Sequence, residues 1–157
     1  MIRKIFIVTE RRADFSRFKP IIKLIKKSKK LRYILVVTGN HLLKEYGYSI
    51  DEIKREKIKI SESFPMFLKS KKDDGSEMVH GLGVATQKLS QILKKHEPDI
   101  ILSGFDIGAN FAVTIAGAHM NIPVAHIQGG EVSGTIDESI RHAMSKFAHY
   151  HFTANSD

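Results

Sequence analysis

Short unbroken apolar runs alternate along this chain with longer segments in which apolar positions recur at helical spacing. Residues 5–9 and 32–38 are such runs, the second holding Ile34, Leu35, Val36 and Val37 in succession. Between them Phe18, Ile21, Ile22 and Ile25 mark one face of a helix over 14–30, whose Pro20 is expected to restrict its start or kink it. The middle is less regular. It predicts short helices over 41–46 and 51–56, a strand over 58–61, and a loop over 69–76 where Lys, Asp, Gly and Ser follow one another without an apolar period.

Val79, Leu82, Leu89, Ile92 and Leu93 then define an amphipathic helix over 78–95 that ends before Pro98, followed by a buried strand over 99–102. A helix of small residues over 109–120 must pack tightly on the sheet. After it come a strand over 123–127, a glycine-rich turn, a helix over 137–146 and a last strand over 150–153. Strands separated by helices are the signature of βα units, hence of a parallel sheet covered on both faces. In such sheets ligands bind beyond the carboxyl ends of the strands. That rule gathers the loops at 10–14, 39–41, 103–108 and 128–138 on one rim.

A length of 157 residues suits one domain with a single core. Cysteine is absent, which removes disulfides and thiolate metal sites and suits the cytoplasm. The apolar start, residues 1–9, is too short for a signal peptide or a membrane span. The net charge of +8 is concentrated early, in Arg17, Lys19, Lys23, Lys26, Lys27, Lys29, Lys30 and Arg32. These lysines alternate with apolar residues at helical spacing and lack interleaved aromatic platforms, so a solvated helix face is favoured over nucleic acid binding.

The densest polar stretch is Gln128-Gly129-Gly130-Glu131-Val132-Ser133-Gly134 with Asp137, Glu138, Arg141 and His142 behind it. Glycines alone would indicate only a left-handed turn between strand and helix. With three carboxylates and a serine beside them at a strand's carboxyl end, the stretch reads as a site. Asp106, after the strand over 99–102, suits an N-cap for the following helix and still faces the crevice. No spacing of histidines suits a metal.

At these residues the chain resembles the UDP-N-acetylglucosamine 2-epimerases, above all the hydrolysing branch that supplies N-acetylmannosamine for sialic acid synthesis. The resemblance runs from Thr9 and Arg12-Ala13-Asp14-Phe15 through Val37-Thr38-Gly39-Asn40-His41-Leu42, and is strongest from His126 to His151. It implies a Rossmann-like doubly wound α/β domain, one half of a two-domain, GT-B-like enzyme, with residues 1–157 as the N-terminal half and the C-terminal domain missing. The isolated half is then expected to be inactive.

The family reaction eliminates UDP to leave 2-acetamidoglucal and adds water back with C2 inverted, without metal or cofactor. The resemblance makes Asp106, Glu131, Glu138 and His142 the acid and base candidates. It assigns Arg12, His41, Gln128, Gly129, Gly130, Ser133, Asp137 and Arg141 to substrate binding. Two departures stand out. The family's His-Gly-Asp-Arg is Gly104-Phe105-Asp106-Ile107 here, and Gln128 takes the place of a carboxylate. They leave two other readings open, a 2-epimerase of another UDP-amino sugar such as UDP-N,N'-diacetylbacillosamine and a nucleotide-sugar-binding domain without turnover, while the early lysines leave a third, a basic nucleic-acid-binding domain using residues 19–32. The expected partners are a UDP-amino sugar, the missing domain and a homo-oligomer mate, with no membrane.

Overall fold

The computed structural model describes residues 1–67, 74–105 and 108–154. It contains β1 (Arg3–Thr9), α1 (Arg12–Lys27), β2 (Leu31–Val37), α2 (Ile50–Arg55), β3 (Glu62–Ser63), α3 (Gly75–His96), β4 (Ile100–Gly104), α4 (Gly108–His119), β5 (Val124–Ile127), α5 (Ile136–Phe147) and β6 (Tyr150–Phe152). The six strands form one parallel sheet in the order β3-β2-β1-β4-β5-β6. This is the doubly wound arrangement that the alternating pattern predicts.

Successive strand residues point to opposite faces, so β1 divides its apolar residues between two cores. Phe6 and Val8 join Leu89 and Leu93 of α3 and Ala109, Ala112 and Val113 of α4. Ile7 joins Phe15, Phe18, Ile22 and Ile25 of α1 and Ile50 and Ile53 of α2. The small residues of α4 allow the close approach expected of them: a Cβ on Gly117 would lie 2.3 Å from Ile101 Cδ1 and 3.2 Å from Val124 Cγ2. On the α1 side the cover of the sheet is incomplete. Over β4 to β6 an apolar groove of about 670 Å³ remains, bounded by Leu24, Ile100, Ile127, Tyr150 and Phe152.

Several boundaries differ from expectation for identifiable reasons. Helix α1 begins at Arg12 because Asp14 reaches back to the amides of Glu10 and Arg11 at 2.8 and 2.7 Å, and it runs through Pro20 on its exposed side. The helix expected over 41–46 is two 3₁₀ turns, Gly39–Leu42 and Lys44–Tyr46, closed by Gly47 at φ +78°. The strand expected over 58–61 pairs later, at Glu62–Ser63, while Ile58 is buried in the α1-side core. Of the loop expected over 69–76, residues 69–73 lie outside the described residues. Gly75 and Ser76 open α3, because Asp74 Oδ1 accepts the Glu77 amide at 2.9 Å. Among the described residues no helix is long and apolar enough to cross a membrane.

Candidate functional site

The sheet order reverses between β1 and β4, which opens a crevice beyond their carboxyl ends. One group of predicted residues borders that rim after β5, and a second, Arg12 and His41, stands apart on the β2 side. Asp106 falls outside the described residues.

The first group hangs from the turn after β5. Gln128 carries φ +62°, and its amide donates to Phe152 O at 2.9 Å, so the chain turns out of the strand immediately. Gly129 is buried, and a Cβ there would lie 3.0 Å from Ser145 Oγ and 3.1 Å from His126 Nδ1, so a glycine lets the turn settle on α5. Gln128 Nε2 donates to Glu131 Oε1 at 3.2 Å. Arg141, nearly buried on α5, donates through NH1 to the Glu131 carbonyl.

Glu138 Oε2 accepts from the amides of Ser133 at 2.8 Å and Gly134 at 2.7 Å. Those two N–H groups hold its carboxyl below the ordinary glutamate range, Gly134 contributing most. His142, one turn on, places Nε2 3.8 Å from Glu138 Oε1. Thr135 caps α5 by accepting the Asp137 amide at 3.3 Å, which sets Asp137 in the first turn. One loop and one helix thus bring together Gln128, Gly129, Gly130, Glu131, Ser133, Asp137, Glu138, Arg141 and His142.

A residue that sequence reasoning assigned only to a solvated face joins this group. Arg17, exposed on α1, donates from NH1 to Gln128 Oε1 at 2.9 Å, and its guanidinium lies 4.9 Å from the centroid of the Phe105 ring. Phe105 packs edge-on against Phe18 at 5.1 Å. The available signal was position: Arg17 follows Arg12 on the first helix, one turn beyond the strand-end loop.

The remaining predicted residues, Arg12 and His41, stand on the β2 side. Arg12 pairs with Glu52 of α2 through two bonds, at 3.2 Å from Nε and 2.5 Å from NH2. His41 is fully buried rather than presented to the rim. Its Nε2 lies 3.0 Å from Thr9 Oγ1 and its Nδ1 2.8 Å from Ser49 Oγ. The Thr9 hydroxyl donates to Asp14 Oδ2 at 3.1 Å, so Nε2–H donates to Thr9 and Nδ1 accepts from Ser49, the neutral tautomer. Burial lowers the His41 pKa to about 4. His41 therefore ties the β1 and β2 loops together, a structural task that its residue type did not announce. Burial also raises the carboxyl of Asp14, against the opposing pull of the Glu10 and Arg11 amides.

His126 repeats the pattern beneath the site. Ser145 Oγ donates to Arg141 O at 3.2 Å, leaving its oxygen to accept from His126 Nδ1 at 3.1 Å. Nε2 is then a buried acceptor with no partner among the described residues, and burial lowers this pKa to about 4 as well. The early lysines take up protein contacts: Lys19 and Lys23 pair with Glu56, and Lys26 donates to Lys57 O.

A parallel sheet whose order reverses beside its first strand, with charged loops beyond the strand ends, defines a doubly wound α/β ligand-binding domain. More specifically, the chain belongs to the UDP-N-acetylglucosamine 2-epimerase family, whose profile matches residues 23–157. It is 39% identical, over 98% of its length, to the UDP-N,N'-diacetylbacillosamine 2-epimerase (hydrolyzing) of Legionella pneumophila. It is 36% identical, again over 98% of its length, to the UDP-N-acetylglucosamine 2-epimerase of Neisseria meningitidis. The chain spans 40% of the length of each. The crystal structure of the Neisseria meningitidis enzyme bound to UDP-GlcNAc superposes with a TM-score of 0.79 at 22% identity, covering 96% of this chain and 39% of that one. That likeness shows the shared fold.

Proposed function

We propose that this chain is the N-terminal, sugar-facing half of a hydrolysing UDP-sugar 2-epimerase that converts UDP-N-acetylglucosamine to UDP and N-acetylmannosamine. The observation that carries the reading is the Glu138 carboxylate, held by the amides of Ser133 and Gly134 beside Glu131, Gln128 and His142 at the carboxyl end of β5. In this scheme a carboxylate takes the C2 proton as the C1–O bond breaks and the electron pair leaves with UDP. Water then adds its oxygen to C1 while a proton returns to C2 from the opposite face.

A base fixed by two backbone amides is preorganised for such a step, since little rearrangement is needed when charge moves. Glu138 and Glu131 supply carboxylates at the β5 rim, and Asp106 is assigned the third. His142, exposed and close to Glu138, suits proton exchange with water. Arg17 supplies positive charge beside them for the departing diphosphate, with Arg12 in reserve on the β2 side. The remaining diphosphate and uridine contacts belong to a second domain facing this rim, without which turnover is expected to be negligible. The location assigned is the cytoplasm and the product's use sialic acid synthesis.

A second substrate, UDP-N,N'-diacetylbacillosamine, is favoured by two observations. Gln128 offers an amide where the notional carboxylate would stand, and the 39% identical Legionella pneumophila relative is named for that sugar. The test joins this chain to the remaining part of the Neisseria meningitidis enzyme and follows both sugar nucleotides by proton NMR in deuterated water. Released N-acetylmannosamine carrying deuterium at C2 supports the proposal. Release of the diacetylated product alone selects the second substrate. A folded chimera that leaves both sugar nucleotides intact overturns the reading.

A further inference from the structure

Between β1 and β4, away from the β5 turn, lies a carboxyl group that the proposed chemistry does not use. Glu10, the residue after β1, is only 2% exposed, and its Oε2 accepts the Ala109 amide at 2.9 Å. Ala109 sits in the first turn of α4, where amides lack an intrahelical acceptor and negative charge is favoured. The Glu10 backbone is held as well: its amide donates to Asp14 Oδ2 at 2.8 Å, and its carbonyl accepts from the His41 amide at 3.2 Å.

One glycine leaves room for this side chain. Gly39, at φ +58°, would place a Cβ 2.2 Å from Glu10 Cγ, so no other residue fits there without displacing Glu10. At Gly108 a Cβ would meet Glu10 Oε2 only at an ordinary contact distance of 3.7 Å, so that position does not require glycine. The residues that follow β1 and β2 and the first turn of α4 thus converge on one side chain. Just after β4, Phe105 packs edge-on against Phe18 of α1.

We infer that Glu10 is a positioning residue, whose buried carboxyl fixes the first turn of α4 against the ends of β1 and β2 and so sets the shape of the crevice between β1 and β4. The ligand of that crevice rests on the function proposed above; the anchor itself does not. Burial raises the Glu10 pKa, opposed by the Ala109 amide and by Arg11, and supported by Asp14 on the same loop. His41, on the β2 side, is neutral and adds no charge.

The test uses the 157-residue chain and its amide spectra, comparing wild type with Glu10→Ala, Glu10→Gln and Gly39→Ala. In Glu10→Ala the Ala109 amide should exchange about tenfold faster, whereas Glu10→Gln, which keeps an acceptor oxygen, should stay close to wild type. Gly39→Ala should reproduce the Glu10→Ala effect with the carboxyl still present. Titration with UDP-N-acetylglucosamine should show weaker binding in Glu10→Ala and recovery in Glu10→Gln, a split that a general loss of stability would not produce. Unchanged Ala109 exchange in a folded Glu10→Ala, or equal affinity across all variants that bind, overturns the inference. If Glu10→Ala does not fold, the wild-type Ala109 shift decides: it should titrate with a midpoint above the ordinary glutamate value, and the inflection should vanish in Glu10→Gln. The proposed function is judged by the chimera described above, and the exchange data judge the anchor whether or not the isolated chain binds nucleotide sugar.

Discussion

Arg17 on the first helix and Gln128 at the end of the fifth strand are joined side chain to side chain, NH1 to Oε1 at 2.9 Å. The other end of the Gln128 amide donates to Glu131, so one neutral group sits between a cation and a carboxylate. A glutamate at 128 would pair with Arg17 but would face Glu131 at hydrogen-bond distance, and two such carboxyls do not ionise independently. Gln128→Glu is therefore expected to keep the fold and to move the acid limb of the pH–rate profile toward higher pH in the chimera described above. A profile that does not move would show that Glu131 is not part of the working set.

Glu138 accepts the Ser133 and Gly134 amides, and a glutamine in its place keeps an acceptor oxygen for them while losing the group that can carry a proton away. Glu138→Gln should lower turnover by roughly a hundredfold or more if Glu138 transfers a proton. Glu138→Asp, one methylene shorter, should recover only part of it. Full activity in Glu138→Gln would remove Glu138 from the acid and base assignments.

The buried histidines set an acid limit to stability. His41 titrates near 4 in the folded chain and near 6.5 when unfolded, so between these values the unfolded chain binds more protons. Stability should hold above about pH 6.5 and fall as pH drops toward 4, by on the order of 3 kcal/mol from His41 alone. His126 acts in the same direction. Urea unfolding at pH 7 and pH 5 measures the loss, and His41→Gln should reduce the slope while lowering stability at pH 7.

Glu10 has the opposite sign. Its folded pKa is raised, so the folded chain binds more protons above pH 4.5, and stability contributed by Glu10 is lost as pH rises through the folded value. Glu10→Gln stays neutral throughout. Its stability relative to wild type should increase from pH 4.5 upward, and a constant difference from pH 4.5 to 8 would contradict the burial account.

Close packing of α4 on the sheet allows a double-mutant test. Gly117→Ala drives a methyl to within 2.3 Å of Ile101 Cδ1, and overpacking of this kind costs about 1–3 kcal/mol. Ile101→Val removes that carbon and costs about 0.5–1.5 kcal/mol alone. The pair together should cost less than the sum, by thermal or urea unfolding, whereas strict additivity would mean the contact is relieved elsewhere.

Local pattern was enough for the sheet, because strand and helix periods differ and each apolar run had to be buried. The runs at 5–9, 32–38 and 99–102 became β1, β2 and β4, and the glycine-rich turn with its polar helix start was legible as one contiguous unit. Boundaries shifted where a side chain overrode the period, as when Asp14 and Asp74 capped their helices earlier than the apolar spacing required. Residue type also pointed to candidates whose environment differs: His41 is an interior tie and Arg12 is occupied by Glu52.

From the sequence alone came the order of elements, the parallel sheet, the family likeness and the chemical inventory of the rim, all carried by local spacing and contiguous motifs. The tertiary structure decided which of those groups meet. Arg17 reaches Gln128 across 111 positions and Glu10 reaches Ala109 across 99, distances over which no periodicity extends. Burial, likewise a property of the assembled sheet and not of any segment, is what makes His41 and His126 neutral and raises the carboxyls of Glu10 and Asp14.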